Sequence, residues 1–493
     1  MSTNSSVKVK TIHTARGFIY DRNLLSLINN DEKHTICVKP TPTTINFFKE
    51  NDKYIFEKLS KGYFVIETIE SIPKIKCDDI KTLPTYNRYD DSVAVHIIGY
   101  TDKSGNGICG IEKYYDNYLR DAGGTLSIAY STDALGRLLS SEKIEIRDTG
   151  YYDKSGIILT IDKAIQKICE AALIKGRITK GAAIVLDINT NEILACCSMP
   201  VYDRNNLSQY TKSKDSPFIN RAFCAYPVGS VFKVITASSA LENNTSISNF
   251  CCTGSITKSG RNFRCNKLEG HQKIDFNNAI SLSCNPYFIE LGTTLGGEKL
   301  LETAKKYSLG KPVDLGNGFK TQSGVLPTID DLNSDAAIGN LSFGQGKLTA
   351  TPLQIATVFS TIANNGIYIE PKLIKGFSDS DGIETINKGI TSKRVLKEST
   401  CKALKKALMN TTIDGTGISA HSTLFDICAK TSTAQSGQFD ESNKEIKYCW
   451  FAGFFPAEKP EYAICIMKED GVSGGGDCGP VFKEIAEKIE SPK

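Results

Sequence analysis

Nowhere in its 493 residues does the chain carry the run of about eighteen apolar residues that a membrane-spanning helix needs. Its opening stretch, MSTNSSVKVKTIHTARG, lacks the apolar segment of a secretory signal peptide. No block of Lys and Arg stands out, and 59 basic against 55 acidic residues leave a formal charge of +4. Nothing there argues for a nucleic-acid partner. Internal repeats and low-complexity segments are missing too, which excludes solenoids and fibrous arrays. Histidine is scarce: His13, His34, His96, His271 and His421, all upstream of Ser473. That order decides one motif. GVSGG at 471–475 matches the G-x-S-x-G elbow of α/β-hydrolases, which need their histidine after the serine. The stretch reads instead as a flexible glycine loop between a strand and a helix.

Cysteine is plentiful, with sixteen in the chain, yet none are spaced C-x-x-C. Cys196–Cys197 and Cys251–Cys252 are adjacent pairs, poor disulfide partners for each other. Most of the sixteen are expected to be small buried hydrophobes. With 40% hydrophobic and 23% charged residues, the composition is that of an ordinary globular protein.

Residues 1–153 read as irregular α+β, with short strands in YFVIETI and VAVHIIGY, and a Gly-rich turn, KSGNGICG, before the helix IEKYYDNYLRDA. SSEKIEIRDTGYYDKSG reads as the connection to residues 154–493. There GIIL predicts a strand, and Asp162 starts a helix with Ile165, Ile168 and Ala172 on one face. GAAIVLDINTNEILACCSMP predicts a hairpin turning at Asn189–Asn191. A mainly helical stretch follows to about 365, then strands in FDICAKTSTAQ, KYCWFAGFFP and YAICIMKED, and a last helix, PVFKEIAEKIE. The order predicts an α/β sandwich: one antiparallel sheet between helical layers.

The chemistry concentrates in YPVGSVFKVITASSALE, residues 226–242. Lys233 lies in an apolar helix, where a buried ammonium must pair or lose its proton. Ser230 is three residues earlier, on the same face. S-x-x-K alone is a weak signal. Downstream, however, stand Ser283-Cys284-Asn285 after a helix and Lys430-Thr431-Ser432 within an apolar strand. Serine enzymes activated by lysine combine these three elements in this order. Three weak signals in sequence make a strong one.

With these motifs the chain resembles the class B penicillin-binding proteins, monofunctional peptidoglycan D,D-transpeptidases. ARGFIYDRN is similar to the family's R-G-x-I-x-D-R-N opening. GAAIVLDINTNEILACCSMPVYD, LSFGQGKLTATPLQIATVFSTIANNG and WFAGFFP resemble further family blocks in the expected order. The likeness runs from about residue 16, is strongest from 157, and is closest to elongation- and sporulation-type members. It implies a penicillin-binding, serine β-lactamase-like fold over 154–493 and a smaller α+β pedestal or dimerisation-like domain over 1–153. It also implies peptidoglycan stem peptides and β-lactams as ligands, and a SEDS-type glycosyltransferase as partner. The setting implied is the cell membrane, with the catalytic domain on the extracytoplasmic side and the anchor helix missing from this chain.

Carried onto this sequence, the resemblance makes Ser230 the acylated nucleophile, Lys233 its base and Ser283 a proton relay. Asn285 would hold the substrate amide, Lys430 and Thr431 its terminal carboxylate, and the Thr433 amide part of the oxyanion site. Lys233, desolvated and beside a second cation in Lys430, is expected to have its pKa lowered toward neutrality. Ser432 departs from the family, which has glycine there; its hydroxyl should reshape that edge and alter β-lactam affinity. A β-lactamase-like hydrolase or a β-lactam sensor is the alternative, but a class A β-lactamase needs Glu where IDDLN has Ile329.

The chemistry requires no cofactor. A structural zinc is nonetheless expected at Cys252, Cys265, His271 and Cys284, which fall within thirty-three residues. Three thiolates and an imidazole make a tetrahedral zinc set, although C-x12-C-x5-H-x12-C is no recognised finger. The surrounding loop is poor in large apolar residues, so something other than a core must order it. Inert thiols and a disulfide are the alternatives, and Cys251 or Asp275 could replace one ligand.

Overall fold

The computed structural model describes residues 6–29, 31–69, 71–75, 77–89, 93–139, 144–379, 382–385, 391–439 and 442–490. At its centre is a five-stranded antiparallel sheet. The strands lie in the order Ile193–Met199, Gly181–Asp187, Tyr462–Glu469, Glu445–Phe455, Cys428–Phe439. Side chains alternate across it. Ala182, Ile184 and Leu186 face one apolar core, and Ala183 and Val185 the other. Both faces are therefore covered. The wholly buried helix Pro352–Ala363 packs on the first, and helices Lys163–Lys175 and Gly479–Glu490 on the second. Large apolar side chains in these layers, such as Phe359, Phe451 and Phe482, contribute about 1.5–3 kcal/mol each.

Local chemistry explains the elements. Asp162 caps its helix by accepting from the amides of Ala164 and Ile165, at 2.9 and 3.1 Å. In the hairpin turn, Asp187 accepts from the amides of Asn189 and Thr190, both at 2.9 Å, and Asn191 takes the left-handed conformation.

In the N-terminal part, Asp31–Val38 pairs with Val65–Ile69 and Ile80–Asn87, under helices Pro42–Asn51 and Lys53–Ser60. A second sheet joins Ser6–Thr14, Thr125–Thr132 and Glu145–Asp148. Part of the stretch read as a connection is thus a strand, its edge supplied by a partner distant in sequence. VAVHIIGY is also not a strand: Val95–Ile98 is one helical turn, all four residues buried. Ala94 before it is left-handed, and its amide donates to Glu170 Oε1 at 2.9 Å. With no sheet edge beside it, the apolar run satisfies its backbone locally.

The two regions share a sheet. Phe18–Tyr20 runs parallel to Gly156–Leu159, which continues into Ile374–Asp379 and Gly382–Thr385. Asp21 and Arg22 of the ARGFIYDRN stretch are the joint. Asp21 Oδ2 accepts from the Lys163 amide at 3.1 Å, and Arg22 pairs with Glu192 at 3.1 Å. Among the described residues, no helix is long and apolar enough to cross a membrane.

Candidate active site

Gly229–Phe232 is a tight turn that runs directly into the helix Lys233–Glu242, so Ser230 sits at the entry to a helix. Three contacts fix that turn. Gly229, with φ of 57°, donates its amide to the Gly344 carbonyl at 3.0 Å. A Cβ on Gly344 would fall 1.8 Å from the Gly229 carbonyl oxygen, so only glycine fits there. Trp450, fully buried, donates its indole N–H to the Pro227 carbonyl at 2.9 Å. Trp450 also pairs with Ser432 in the neighbouring strand, so one residue ties the serine turn to the lysine strand.

Lys233 is wholly buried. Its Nζ donates to the Ser283 carbonyl at 2.7 Å, Ser283 Oγ at 3.1 Å and Asn285 Oδ1 at 2.6 Å. Ser283 reaches it from a left-handed backbone, φ 57°, between helices Phe276–Ser281 and Asn285–Leu295. A non-glycine residue held there is a strain that functional sites tolerate. Burial lowers the Lys233 ammonium to about 7. The desolvation expected there accounts for the shift, and Lys430 is not among its causes. Lys430, also wholly buried, is pushed well down by burial and then by the Lys233 charge. The nearby thiols of Cys284 and Cys265 partly oppose the effect of burial on Lys233.

Ser230, Ser283, Asn285, Thr431, Ser432 and Thr433 line one cavity of about 440 Å³. Lys233 and Lys430 sit buried beside it. Thr431 donates to Thr416 Oγ1 at 2.7 Å, and Thr433 Oγ1 accepts from the Gly474 amide at 3.1 Å. Ser432 Oγ is buried without a hydrogen-bond partner, 2.4 Å from where a Cβ on Gly229 would lie. Among the described residues, no carboxylate lines the cavity.

Sequence reasoning missed Thr416, Asn266, Trp450 and the 473–476 wall. The glycine stretch read as a flexible loop is a helical turn, Gly474–Cys478, capped by Ser473. A Cβ on Gly474 would fall 2.2 Å from the Ser432 carbonyl oxygen, so those glycines are needed for close packing. The matching signal was the cluster of three glycines itself, whose packing partner lies forty residues upstream.

Cys252, Cys265, His271 and Cys284 converge beside the cavity, their ligand atoms all within 4.8 Å of one another. Cys265 Sγ is 3.4 Å from His271 Nδ1 and 4.0 Å from Cys284 Sγ. The contact between the two thiols favours the thiolate on Cys265 and disfavours it on Cys284. Cys251 is exposed, and Asp275 instead caps a helix by accepting from the Asn278 amide at 2.8 Å. Neither belongs to the cluster.

A family model, the penicillin binding protein transpeptidase domain, matches residues 181–487. The chain belongs to that family. It is of the class B, monofunctional type that its motifs indicated. Stage V sporulation protein D of Bacillus subtilis is 29% identical, the match covering 95% of this chain and 77% of that one. The peptidoglycan D,D-transpeptidase FtsI of Escherichia coli K12 is 27% identical, with 84% and 68% covered. Penicillin-binding protein 3 of Mycobacterium tuberculosis, solved with aztreonam, superposes with a TM-score of 0.71 at 23% identity, covering 98% and 96%. That likeness shows the fold.

Proposed function

We propose that this class B penicillin-binding protein cross-links peptidoglycan stem peptides through an acyl-enzyme on Ser230, which β-lactams also acylate. The observation that carries this is Lys233: a buried amine held by Ser283 and Asn285, lowered to about 7, one helical turn from the cavity serine. An amine poised there takes the Ser230 proton as Oγ attacks the carbonyl of the penultimate D-Ala. The oxyanion rests on the amides of Ser230 and Thr433, one such donor being worth about 3 kcal/mol. Ser283 relays the proton to the amine of the leaving D-Ala. The amine of a second stem peptide then attacks the acyl-enzyme, and Ser230 leaves with its proton restored.

Thr431 and Lys430 hold the donor's terminal carboxylate. That carboxylate favours the charged form of Lys430, which burial disfavours in the empty cavity. Asn285 holds the substrate amide through Nδ2 while Oδ1 keeps Lys233 in place. With no carboxylate among the described residues of the cavity wall to activate a deacylating water, lasting acylation is the expected outcome rather than β-lactam hydrolysis.

The Cys252, Cys265, His271 and Cys284 set fits a structural zinc. Metal–ligand bonds of about 2.0–2.3 Å in a tetrahedron put ligand atoms roughly 3.4–3.8 Å apart, close to the 3.4 and 4.0 Å separations here. A metal there would brace the hairpin Ser255–Arg264 against Asn285 without entering the reaction. A membrane-bound setting with the catalytic half outside, and a SEDS-type polymerase partner, complete the reading. Mass spectrometry after incubation with penicillin tests the core of it: the adduct is expected on the peptide containing Ser230, and an adduct on Ser283 or Ser473 overturns it.

A further inference from the structure

A second cavity, about 530 Å³, opens in the N-terminal region. Its wall carries Arg16, Arg88, Lys103 and Arg120 with His13 and, among the described residues, no Asp or Glu. The carboxylates that answer these cations stand behind the wall. Glu112, fully buried, takes Arg16 at 3.1 Å and Arg88 at 2.6 Å, and Asp116 takes Arg16 at 2.8 Å and Arg120 at 2.9 Å. Asp102, on the same turn as Lys103, is turned onto the amides of Ser104 and Asn106, at 2.8 Å each. Four cations on the wall therefore stand against three carboxylates, Glu112, Asp116 and Asp102, leaving positive charge in excess.

Hydrogen bonding points the same way. Two buried side-chain nitrogens of wall residues, His13 Nδ1 and Arg88 Nη2, have no hydrogen-bond partner. Leaving one such group unpaired costs about 1–3 kcal/mol, and two such nitrogens beside one cavity favour a polar occupant. Phe18, Tyr86 and Tyr151 give the cavity aromatic sides, Tyr86 and Tyr151 nearly parallel with centroids 6.5 Å apart. In the ARGFIYDRN stretch, Asp21 and Arg22 make the joint to the catalytic half, while Arg16 belongs to this cavity.

We propose that the cavity is a binding site for an oxyanion, carboxylate or phosphate, carried on a small polar ligand. A guanidinium matches either group by paired N–H donors, and a lysine completes the set. Nothing in the transpeptidase chemistry uses this site, so it is a second ligand site on the same chain.

The test is thermal unfolding of the full chain with 10 mM inorganic phosphate or 10 mM succinate, at constant ionic strength against a chloride control. At least one anion should raise the midpoint by 2 °C or more, phosphate marking a phosphoryl ligand and succinate a carboxylate. The shift should disappear in the double variant Lys103→Ala, Tyr151→Phe, which removes an exposed ammonium and a phenol hydroxyl from the wall. Penicillin labelling of that variant should match the parent, showing that it is folded and that the catalytic cavity is not the anion's site. No shift above chloride with either anion, or an undiminished shift in the double variant, overturns the proposal. Should the double variant fail to label, the single variant Lys103→Ala, at an exposed turn, gives the same reading.

Discussion

Asn285 holds the buried lysine and the cysteine-bearing hairpin at once: its Oδ1 accepts from Lys233 Nζ at 2.6 Å, and its Nδ2 donates to the Arg264 carbonyl at 3.0 Å. One side chain thus couples the state of the hairpin to the position of the base. Asn285→Asp places a carboxylate against Lys233 and favours its ammonium form. The pH midpoint of penicillin acylation should move up by about one unit or more. An unmoved midpoint would mean that Lys233 is not the group that titrates.

In the parent protein, Lys233 takes a proton only when neutral, and burial sets its midpoint at about 7. Acylation should therefore fall as pH drops below 7 and level off above it. A rate constant flat from pH 5 to 9 contradicts the assignment. Lys233→Arg keeps the charge but cannot give up its proton, so acylation should fall by roughly 10²–10⁴ with the fold retained.

Ser432→Ala removes a buried hydroxyl that has no partner, and the unpaired group costs about 1–3 kcal/mol. The thermal midpoint should rise, by about 2 °C on the usual scaling for a domain of this size. Ser432→Gly also clears the space facing Gly229 and should change the β-lactam acylation rate more than Ser432→Ala does. A lower midpoint for the alanine variant would show that the hydroxyl is satisfied.

Trp450→Phe keeps an aromatic ring but loses the bond to the Pro227 carbonyl, three residues before Ser230. The acylation step should slow about fivefold while the affinity of the initial β-lactam complex holds, since the loss of about 1 kcal/mol falls on the nucleophile's position. Equal changes in both would make Trp450 a packing residue only.

Elemental analysis of protein purified without added metal should find close to one zinc per chain. Cys265→Ser should lose the metal, lower the thermal midpoint and weaken acylation, because the hairpin then no longer braces Asn285. Less than about a tenth of an equivalent, or an unaltered midpoint in the variant, would leave the four residues as ordinary core.

Short-range pattern was enough for much of this protein. The capped helix at Asp162, the hairpin at Asn189–Asn191, the strands around Lys430 and Trp450 and the order of Ser230, Lys233, Ser283 and Lys430 were legible, because period and capping act over a few residues. Lys233 could be read as buried from its apolar neighbours alone. What it touches could not. Asn285 as its partner, the burial of two lysines beside one cavity, and the Gly474 turn in the cavity wall depend on segments 40 to 200 residues apart meeting near one sheet edge. Val95–Ile98 makes the same point in reverse: its composition favours a strand, yet it had no neighbouring edge and closed into a helical turn. A strand is a contract with a distant partner, and burial sets a pKa only when the surrounding layers are in place.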